Sequence, residues 1–385
     1  MAPLPPDAPI GVYLHIPFCS SICPYCDFNT YRGMEALIPR YVAALCRDLE
    51  REAGRIEGRA VGSVFFGGGT PSLLDGAQVA AVMDTLRSRF RLAEDAEVTL
   101  EANPNSADRE RFAAYRAAGV NRLSIGVQTA DRRGLRVLGR HHEASDAAAA
   151  VTVARGAGFA HLSVDLIFGW PGQDVETWRR DLATAAGWPV DHLSLYSLIV
   201  EPGTPMADAV RRGVLLALDD DDAATLYEVA IGEMARRGFG HYEVANWALA
   251  DGGRSRHNQL YWRNGEYFGI GAGAHATFGG ARTMRHLLPK TYIEAIEAGR
   301  PPVSNVEQID ERTSRGETMM LGLRLLDEGV GREAFRQRHG EALDAVYGDT
   351  IRELVVLGLL TDDGERVLLT ARGLMVANDV CARFL

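Results

Sequence analysis

The amino-acid sequence predicts an α/β fold in which six strand–helix units form a partial parallel barrel, followed by a smaller helical domain. Short apolar runs alternate with longer segments whose apolar residues recur at the helical period, and this alternation repeats six times. Such a repeat indicates parallel strands joined by right-handed crossovers. Because the strands are strongly apolar, a barrel is favoured over an open two-layer sheet, although periodicity leaves its closure open.

The strand–helix units occupy the first part of the chain. The predicted strands lie near residues 12–16, 63–66, 97–102, 122–128, 161–169 and 192–198. Between them, helical apolar spacing covers 38–51, 78–90, 108–118 and 145–156. We therefore assign residues 1–205 to the barrel core.

Two further regions follow the core. The acidic run Asp219–Asp222 is expected to open a helix, because carboxylates complement the positive end of the helix dipole. A glycine-rich stretch at 265–280 is expected to return to the barrel, so residues 206–306 form a segment that completes it. In 307–385, helices precede a hairpin that turns at Asp363-Gly364, and a final helix covers 371–385. This order predicts a winged-helix-like domain.

Bulk composition excludes several classes of function. With 46% hydrophobic residues and no apolar run long enough to span a bilayer, the chain is expected to be globular, cytoplasmic and without stable membrane insertion. Its N-terminus lacks the basic and apolar regions of a secretory signal. The net charge of -10 argues against binding nucleic acid. Lys290 is the only lysine, which argues against a phosphate-binding loop or a Schiff base.

Three of the five cysteines follow the first strand within eight residues. Cys19, Cys23 and Cys26, separated by three and two residues, can bind one face of a cubane 4Fe-4S cluster from a single loop. Three ligands leave one iron open to a small molecule with an amino nitrogen and a carboxylate oxygen, such as S-adenosylmethionine. Structural zinc is the alternative, but it prefers four ligands, and the nearest histidine, His15, lies within the preceding strand.

Polar and glycine residues follow the next strands. Gly67, Gly68 and Gly69 end the second strand, where glycine lets the backbone approach a ligand, although a tight turn alone would also need glycine. Glu101, Gln128 and Asp165 lie at or near the ends of strands three to five. Active sites of parallel barrels form at the face where the carboxyl ends of the strands meet. Four consecutive strands that end in glycine or polar residues therefore favour a ligand site at this face.

These residues resemble the radical S-adenosylmethionine superfamily, with Tyr25 as the aromatic residue before the last cysteine. The resemblance extends over nearly the whole chain to the oxygen-independent coproporphyrinogen oxidase group, through YLHIPFC, FFGGGTPS, LEANP, RLSIGVQT, VLGRHH, VDLIFGWPGQ and HNQLYW. It implies reductive cleavage of S-adenosylmethionine to methionine and a 5′-deoxyadenosyl radical. The implied contacts with S-adenosylmethionine are Tyr13, Tyr25, Gly68, Gly69, Thr70, Glu101, Gln128, Arg140 and Asp165.

Within this group, the sequence is more similar to the HemW-type haem chaperones than to the oxidases. The oxidases resemble C-x3-C-x2-C-x-C with a longer N-terminal arm, whereas here Phe28 occupies the fourth cysteine position and about a dozen residues precede the first strand. The resemblance implies haem as cargo, a haem-accepting protein and an electron donor. An oxidase, or another radical enzyme that acts on haem, remains the alternative, and all three readings share a tetrapyrrole.

His257 begins the HNQLYW sequence and is the candidate haem ligand. An imidazole can bind haem iron, and the flat aromatic side chains of Tyr261 and Trp262 can pack on a porphyrin. The alternative is a structural histidine that bonds within its own loop. The resemblance to the chaperones favours the assignment of His257 as a haem ligand. Of the other histidines, His141 lies beside the implied cofactor contact Arg140.

Overall fold

The computed structural model describes residues 8–56, 58–106, 108–249 and 253–385. The strands of this part of the chain are, in order, β1 (Ile10–Ile16), β2 (Ala60–Gly68), β3 (Arg91–Ala102), β4 (Arg122–Gln128), β5 (His161–Phe168), β6 (His192–Ser197), β7 (Gly240–Glu243), β8 (Asn246–Ala248), β9 (Tyr267–Ile270), β10 (His275–Phe278), β11 (Ala281–Arg285), β12 (Val303–Gln308), β13 (Val330–Gly331), β14 (Leu360–Asp362) and β15 (Arg366–Leu369). The six predicted strands correspond to β1–β6.

A single twelve-stranded sheet carries the site. Its order is β12-β11-β10-β9-β1-β2-β3-β4-β5-β6-β8-β7, and β1 to β6 pair in parallel. The glycine-rich stretch returns to this sheet as predicted, because β9 pairs in parallel with β1. Antiparallel strands extend both edges. Within the described residues the two end strands, β12 and β7, do not pair with each other, in agreement with a partial barrel.

The helices of the described residues are α1 (Ile38–Ala53), α2 (Gly76–Arg89), α3 (Arg109–Ala118), α4 (Arg132–Val137), α5 (Ala144–Gly156), α6 (Val175–Ala186), α7 (Pro205–Arg211), α8 (Asp220–Arg236), α9 (Arg256–Trp262), α10 (Pro289–Glu297), α11 (Glu311–Gly322), α12 (Arg332–His339), α13 (Leu343–Val356), α14 (Ala371–Met375) and α15 (Ala377–Ala382). Several begin at an aspartate that accepts a hydrogen bond from the first turn. Asp75 forms a capping box with Gln78 before α2, and Asp219 caps α8. These caps set where each crossover turns back toward the sheet.

Two large apolar cores lie within the described residues. The larger one joins the faces of β1–β6 to the crossover helices and includes residues between Ile10 and Ile296. The smaller one, between Met319 and Phe384, packs α11–α15 around the antiparallel sheet β13-β15-β14. Helices followed by a hairpin agree with the predicted C-terminal domain, while the exact domain boundaries stay a prediction.

The final helix differs from the prediction. The tail forms two short helices, α14 and α15, which meet at Val376, where φ is -124° and the helical path is interrupted. Gly373 in α14 packs closely against Leu359, since a Cβ there would lie 1.9 Å from the Leu359 carbonyl oxygen. None of the helices in the described part of the chain has the length and apolar character required to cross a bilayer.

Candidate functional site

A cavity of about 930 Å³ runs into the barrel from the carboxyl ends of the parallel strands. This is the face at which parallel barrels place their active sites. The three cysteines of the loop after β1 line it, and so do eight of the nine predicted S-adenosylmethionine contacts: Tyr25, Gly68, Gly69, Thr70, Glu101, Gln128, Arg140 and Asp165. The structure therefore brings these predicted residues together around one space.

The cysteine loop is held at both ends by backbone hydrogen bonds. The Cys19 N–H donates to the Tyr31 carbonyl at 3.0 Å, and the Tyr31 N–H donates to the Pro17 carbonyl at 2.7 Å. At the turn, the Cys26 N–H donates to the Cys23 carbonyl at 3.1 Å. Because these bonds fold the loop back on itself, the sequence-close thiols face the same cavity.

Contacts to the thiols come from other strands. The Thr70 hydroxyl donates to Cys19 Sγ at 3.5 Å, and Arg140 Nη1 lies 3.6 Å from Cys23 Sγ. A Cβ at Gly69 would lie 2.9 Å from Cys19 Sγ, so glycine keeps the space beside that sulfur open. Hydrogen bonds to sulfur tune iron–sulfur clusters, and the donor set of three cysteines fits a cluster with one open iron. Burial raises the pKa of Cys19 and of Cys26.

The alternative of a single zinc ion finds no support in the described residues. No three His, Cys, Asp or Glu side chains in that part of the chain are grouped so that they could hold one metal ion. A cluster does not need such a group, because each cysteine binds a different iron atom. Cys46 and Cys381, the other cysteines, do not line the cavity.

A hydrogen bond joins Glu101 to the glycine turn, which consists of Gly67, Gly68 and Gly69 at the end of β2. Gly68 has a φ of +115°, and its N–H donates to Glu101 Oε2 at 3.0 Å. A Cβ at Gly68 would lie 2.6 Å from the His15 ring, so both conformation and space require glycine. Burial, with the negative charge of Asp165 nearby, raises the pKa of Glu101 to about 8. Without a bound ligand, the side chain is therefore a protonated carboxyl at neutral pH.

Asp165 lies within β5, where serine hydroxyls surround it. Ser124 donates to its Oδ1 at 2.8 Å, and Ser163 lies 3.4 Å from the same atom. Burial raises the pKa of Asp165, while the hydrogen bonds from Ser124, Ser194 and Ser163 oppose that rise. Three donors around one carboxyl fix its orientation in the cavity wall.

Sequence reasoning missed these serines, although the sequence carries a signal for them. The strands β4, β5 and β6 begin with Arg-Leu-Ser, His-Leu-Ser and His-Leu-Ser, which places a small hydroxyl at the same position of each strand. Ser124 and Ser163 are direct neighbours across the sheet. All three serines line the cavity, and so does His192, whose ring nitrogens bond Ser163 Oγ at 2.7 Å and the Tyr242 hydroxyl at 2.9 Å.

Gln128 and Arg140 line the next part of the wall. Gln128 is one of two described residues other than glycine with a positive φ, at 72°, and it lies at an irregularity in the β4–β5 pairing. Such strain concentrates at functional sites. Arg140 Nη2 donates to the Gly126 carbonyl at 2.7 Å and to Asn103 Oδ1 at 3.0 Å, so its guanidinium is fixed between β3 and β4.

Tyr13 is the predicted contact that does not line the cavity. Its hydroxyl donates to His15 Nδ1 at 2.9 Å, because His15 Nε2 is bonded to the Asn29 carbonyl at 2.9 Å. Its ring stacks on Phe65 at 6.2 Å. In this structure Tyr13 therefore supports His15 behind the glycine turn, and its contact with S-adenosylmethionine stays a prediction.

His257, the predicted haem ligand, also lies away from the cavity. Its side chain is 0% exposed, Nδ1 bonds Ser63 Oγ at 2.8 Å, and Nε2 bonds the Tyr261 hydroxyl at 2.8 Å. Burial lowers the pKa of His257 to about 3. Iron ligation requires a free ring nitrogen, and neither is free here. This geometry favours the structural alternative that the sequence left open, and a haem role for His257 stays a prediction.

Comparisons with known proteins cover the whole chain. The profile of the radical SAM superfamily matches residues 13–185, and that of the HemN C-terminal domain matches 309–376. The chain is 42% identical to the Mycobacterium tuberculosis protein named heme chaperone HemW, over 99% of this chain and 95% of that protein. It is 36% identical to the Bacillus subtilis protein of the same name, over 97% and 99% of the two chains.

A solved structure has the same fold. Coproporphyrinogen III oxidase (HemN) from Escherichia coli, described as a radical SAM enzyme, superposes with a TM-score of 0.85 over 98% of this chain and 90% of that chain. The two sequences are 22% identical, so the likeness concerns the fold.

Proposed function

Because the chain belongs to the radical SAM superfamily and, within it, to the HemW family, we propose that it is a haem chaperone. It binds a 4Fe-4S cluster, S-adenosylmethionine and haem, and it transfers haem to an acceptor protein. The observation that carries the first part is the cavity in which three thiols meet the glycine turn and the half-buried carboxyls of Glu101 and Asp165. The named chaperones, which match over nearly their full length, support the second part.

The cluster would be held by Cys19, Cys23 and Cys26. When bound, such a cluster supplies an electron from an external donor to S-adenosylmethionine. Thr70 and Arg140, which contact two of the sulfurs, would stabilise their negative charge. An electron-donor protein is therefore part of the proposal.

S-adenosylmethionine would occupy the cavity beside the cluster. Gly68 and Gly69 leave the backbone accessible to a ligand, and Glu101 and Asp165 offer oxygen atoms for its hydroxyl or amino groups. Tyr25 packs in a small apolar cluster with Leu138, Ile167, Trp170 and Met206, which places its ring at the cavity wall. Gln128 and Arg140 complete this wall.

Phe28 favours a chaperone function over the oxidation of coproporphyrinogen. This residue stands where the oxidase pattern has a fourth cysteine, and it lines the cavity as an exposed aromatic side chain. An apolar surface at the cavity mouth suits the face of an intact porphyrin better than the four carboxylate arms of coproporphyrinogen. The oxidase remains the second candidate because of the shared fold.

Haem transfer tests the proposal. Reconstituted protein is loaded anaerobically with one equivalent of ferric haem and mixed with an apo haem protein, while the absorbance of the acceptor's Soret band is followed. We expect stoichiometric loading and transfer that is faster than from haem-loaded serum albumin. Serum albumin, which binds haem non-specifically, serves as the control donor.

Two results would contradict the proposal. The first is a chain that binds no haem in an equilibrium titration. The second is loaded protein that releases haem no faster than albumin does, because a chaperone must deliver its cargo.

A further inference from the structure

The mouth of the cavity carries an exposed apolar rim that the cluster and S-adenosylmethionine do not explain. The rim consists of Ile22 and Phe28 from the cysteine loop and Ile199 from the segment after β6, with exposed fractions of 47%, 66% and 66%. All three residues line the cavity. Large apolar side chains exposed at the entrance of a cavity indicate a binding surface for an apolar ligand or partner.

His141 lies at the same mouth. It lines the cavity, its side chain is exposed, and it has no hydrogen-bond partner in the described part of the chain. The other cavity histidine, His192, is buried with both ring nitrogens bonded. Among the described residues that line the cavity, His141 is therefore the one imidazole that is free to bind an external metal.

Packing places His141 beside the cysteine loop. Gly139 has a φ of +64°, and a Cβ there would lie 2.4 Å from Pro24. Arg140, the next residue, contacts Cys23 at 3.6 Å, and Cys23 follows the rim residue Ile22. The segment that carries His141 is thus packed against the segment that carries two rim residues.

We propose that haem binds at this mouth, with its porphyrin face on the rim and its iron bound by His141. This inference rests on the proposed chaperone function and names its binding site. Haem has both features that the mouth can recognise. Its broad apolar face can contact the rim, and its iron can bind an imidazole. It also explains why Phe28, and not a further thiol, occupies its position. The proposal replaces His257, whose nitrogens are both bonded, as the ligand.

Anaerobic titration with ferric haem tests this site in the full-length, cluster-loaded chain. His141→Ala should bind haem roughly tenfold more weakly or worse, with a shifted Soret band. Added imidazole should restore the band position, because it fills the vacated ligand site. His275→Ala is the matched control, since His275 is exposed outside the cavity, and it should behave like the parent. Retained cluster content and S-adenosylmethionine binding verify that each variant is folded.

The rim is tested separately. Ile199→Asp should weaken haem binding and leave the Soret position unchanged, because it removes apolar contact and keeps the ligand. If the parent binds haem and His141→Ala matches it in affinity and spectrum, the ligand assignment is wrong. If Ile199→Asp binds haem normally but transfers it poorly, the rim contacts the acceptor protein and the rim assignment is wrong. A parent that binds no haem contradicts the chaperone function itself.

Discussion

The N–H of Gly68 donates a hydrogen bond to Glu101 Oε2 at 3.0 Å, which ties the end of β2 to the end of β3. Gly68 has a positive φ, a conformation that favours glycine. The bond to Glu101 brings the glycine turn and a half-buried carboxyl to one wall of the cavity. The backbone position of Gly68 and the orientation of the Glu101 carboxyl are therefore linked.

Gly68→Val should abolish S-adenosylmethionine binding and leave the cluster in place. A side chain in this conformation costs about 1–2 kcal/mol, and its Cβ would collide with the His15 ring. Equilibrium dialysis measures binding, and iron analysis measures the cluster. Gly156→Ala, at a position with open space and an ordinary φ, is the control. Normal binding by Gly68→Val would mean that the glycines form only a tight turn.

Glu101 should make the protein, without added S-adenosylmethionine, less stable as pH rises. Its folded pKa of about 8 exceeds the value of 4.5 expected in the unfolded chain, so the folded state holds an extra proton between these values. The contribution of this proton to the free energy of unfolding is then fully present below about pH 4.5 and is lost as the pH rises to 8. Glu101→Gln removes this loss.

Chemical unfolding of both proteins at pH 6 and pH 9 measures the effect. One pKa unit corresponds to about 1.4 kcal/mol. Between pH 6 and pH 9, the free energy of unfolding of the parent should therefore fall by at least that amount more than that of Glu101→Gln. Equal losses in parent and variant would show that Glu101 is already ionised in the folded protein.

Each of Cys19→Ala, Cys23→Ala and Cys26→Ala should abolish the cluster. Anaerobically reconstituted parent should contain about four irons, and its paramagnetic spectrum should change when S-adenosylmethionine is added. Cys46→Ala and Cys381→Ala, outside the cavity, should retain the iron and the spectrum. Protein that takes up zinc and no iron would overturn the cluster assignment.

His257→Ala should lower the free energy of unfolding and leave the haem spectrum unchanged. The substitution removes a buried ring and leaves Ser63 and Tyr261 without their partner, at a cost of about 2–4 kcal/mol. Denaturant unfolding gives the stability, and the Soret band reports haem. A variant as stable as the parent but with a shifted Soret band would restore His257 as the haem ligand.

Much of the fold could be predicted because each crossover has its own local signals. Apolar runs marked β1–β6, helical spacing marked α1, α2, α3 and α5, and Asp219–Asp222 marked the start of α8. The cysteine loop could be predicted for the same reason, since its three thiols are close in sequence. Cavity residues on four different strands could be grouped only because parallel strands end at one face.

What could not be predicted depends on packing between distant segments. The antiparallel strand β12 joins the sheet by pairing with β11, and no local pattern specifies this pairing because α10 separates the two strands in sequence. His257 is hydrogen-bonded to Ser63, which is far away in sequence, and its ring is buried. Similarly, the loop that carries His141 packs on Pro24 through Gly139, a contact between segments far apart in sequence. A list of histidines in a sequence contains none of this information.

A single anaerobic reaction tests most directly whether the chain handles intact haem. Reconstituted protein, S-adenosylmethionine, a chemical reductant, haem and coproporphyrinogen are incubated together, and all tetrapyrroles are identified by mass spectrometry. For a haem chaperone, we expect haem to be recovered unchanged in complex with the protein and coproporphyrinogen to keep its mass. Formation of protoporphyrinogen, at a rate abolished by Cys19→Ala, would contradict this expectation and identify the chain as an oxidase.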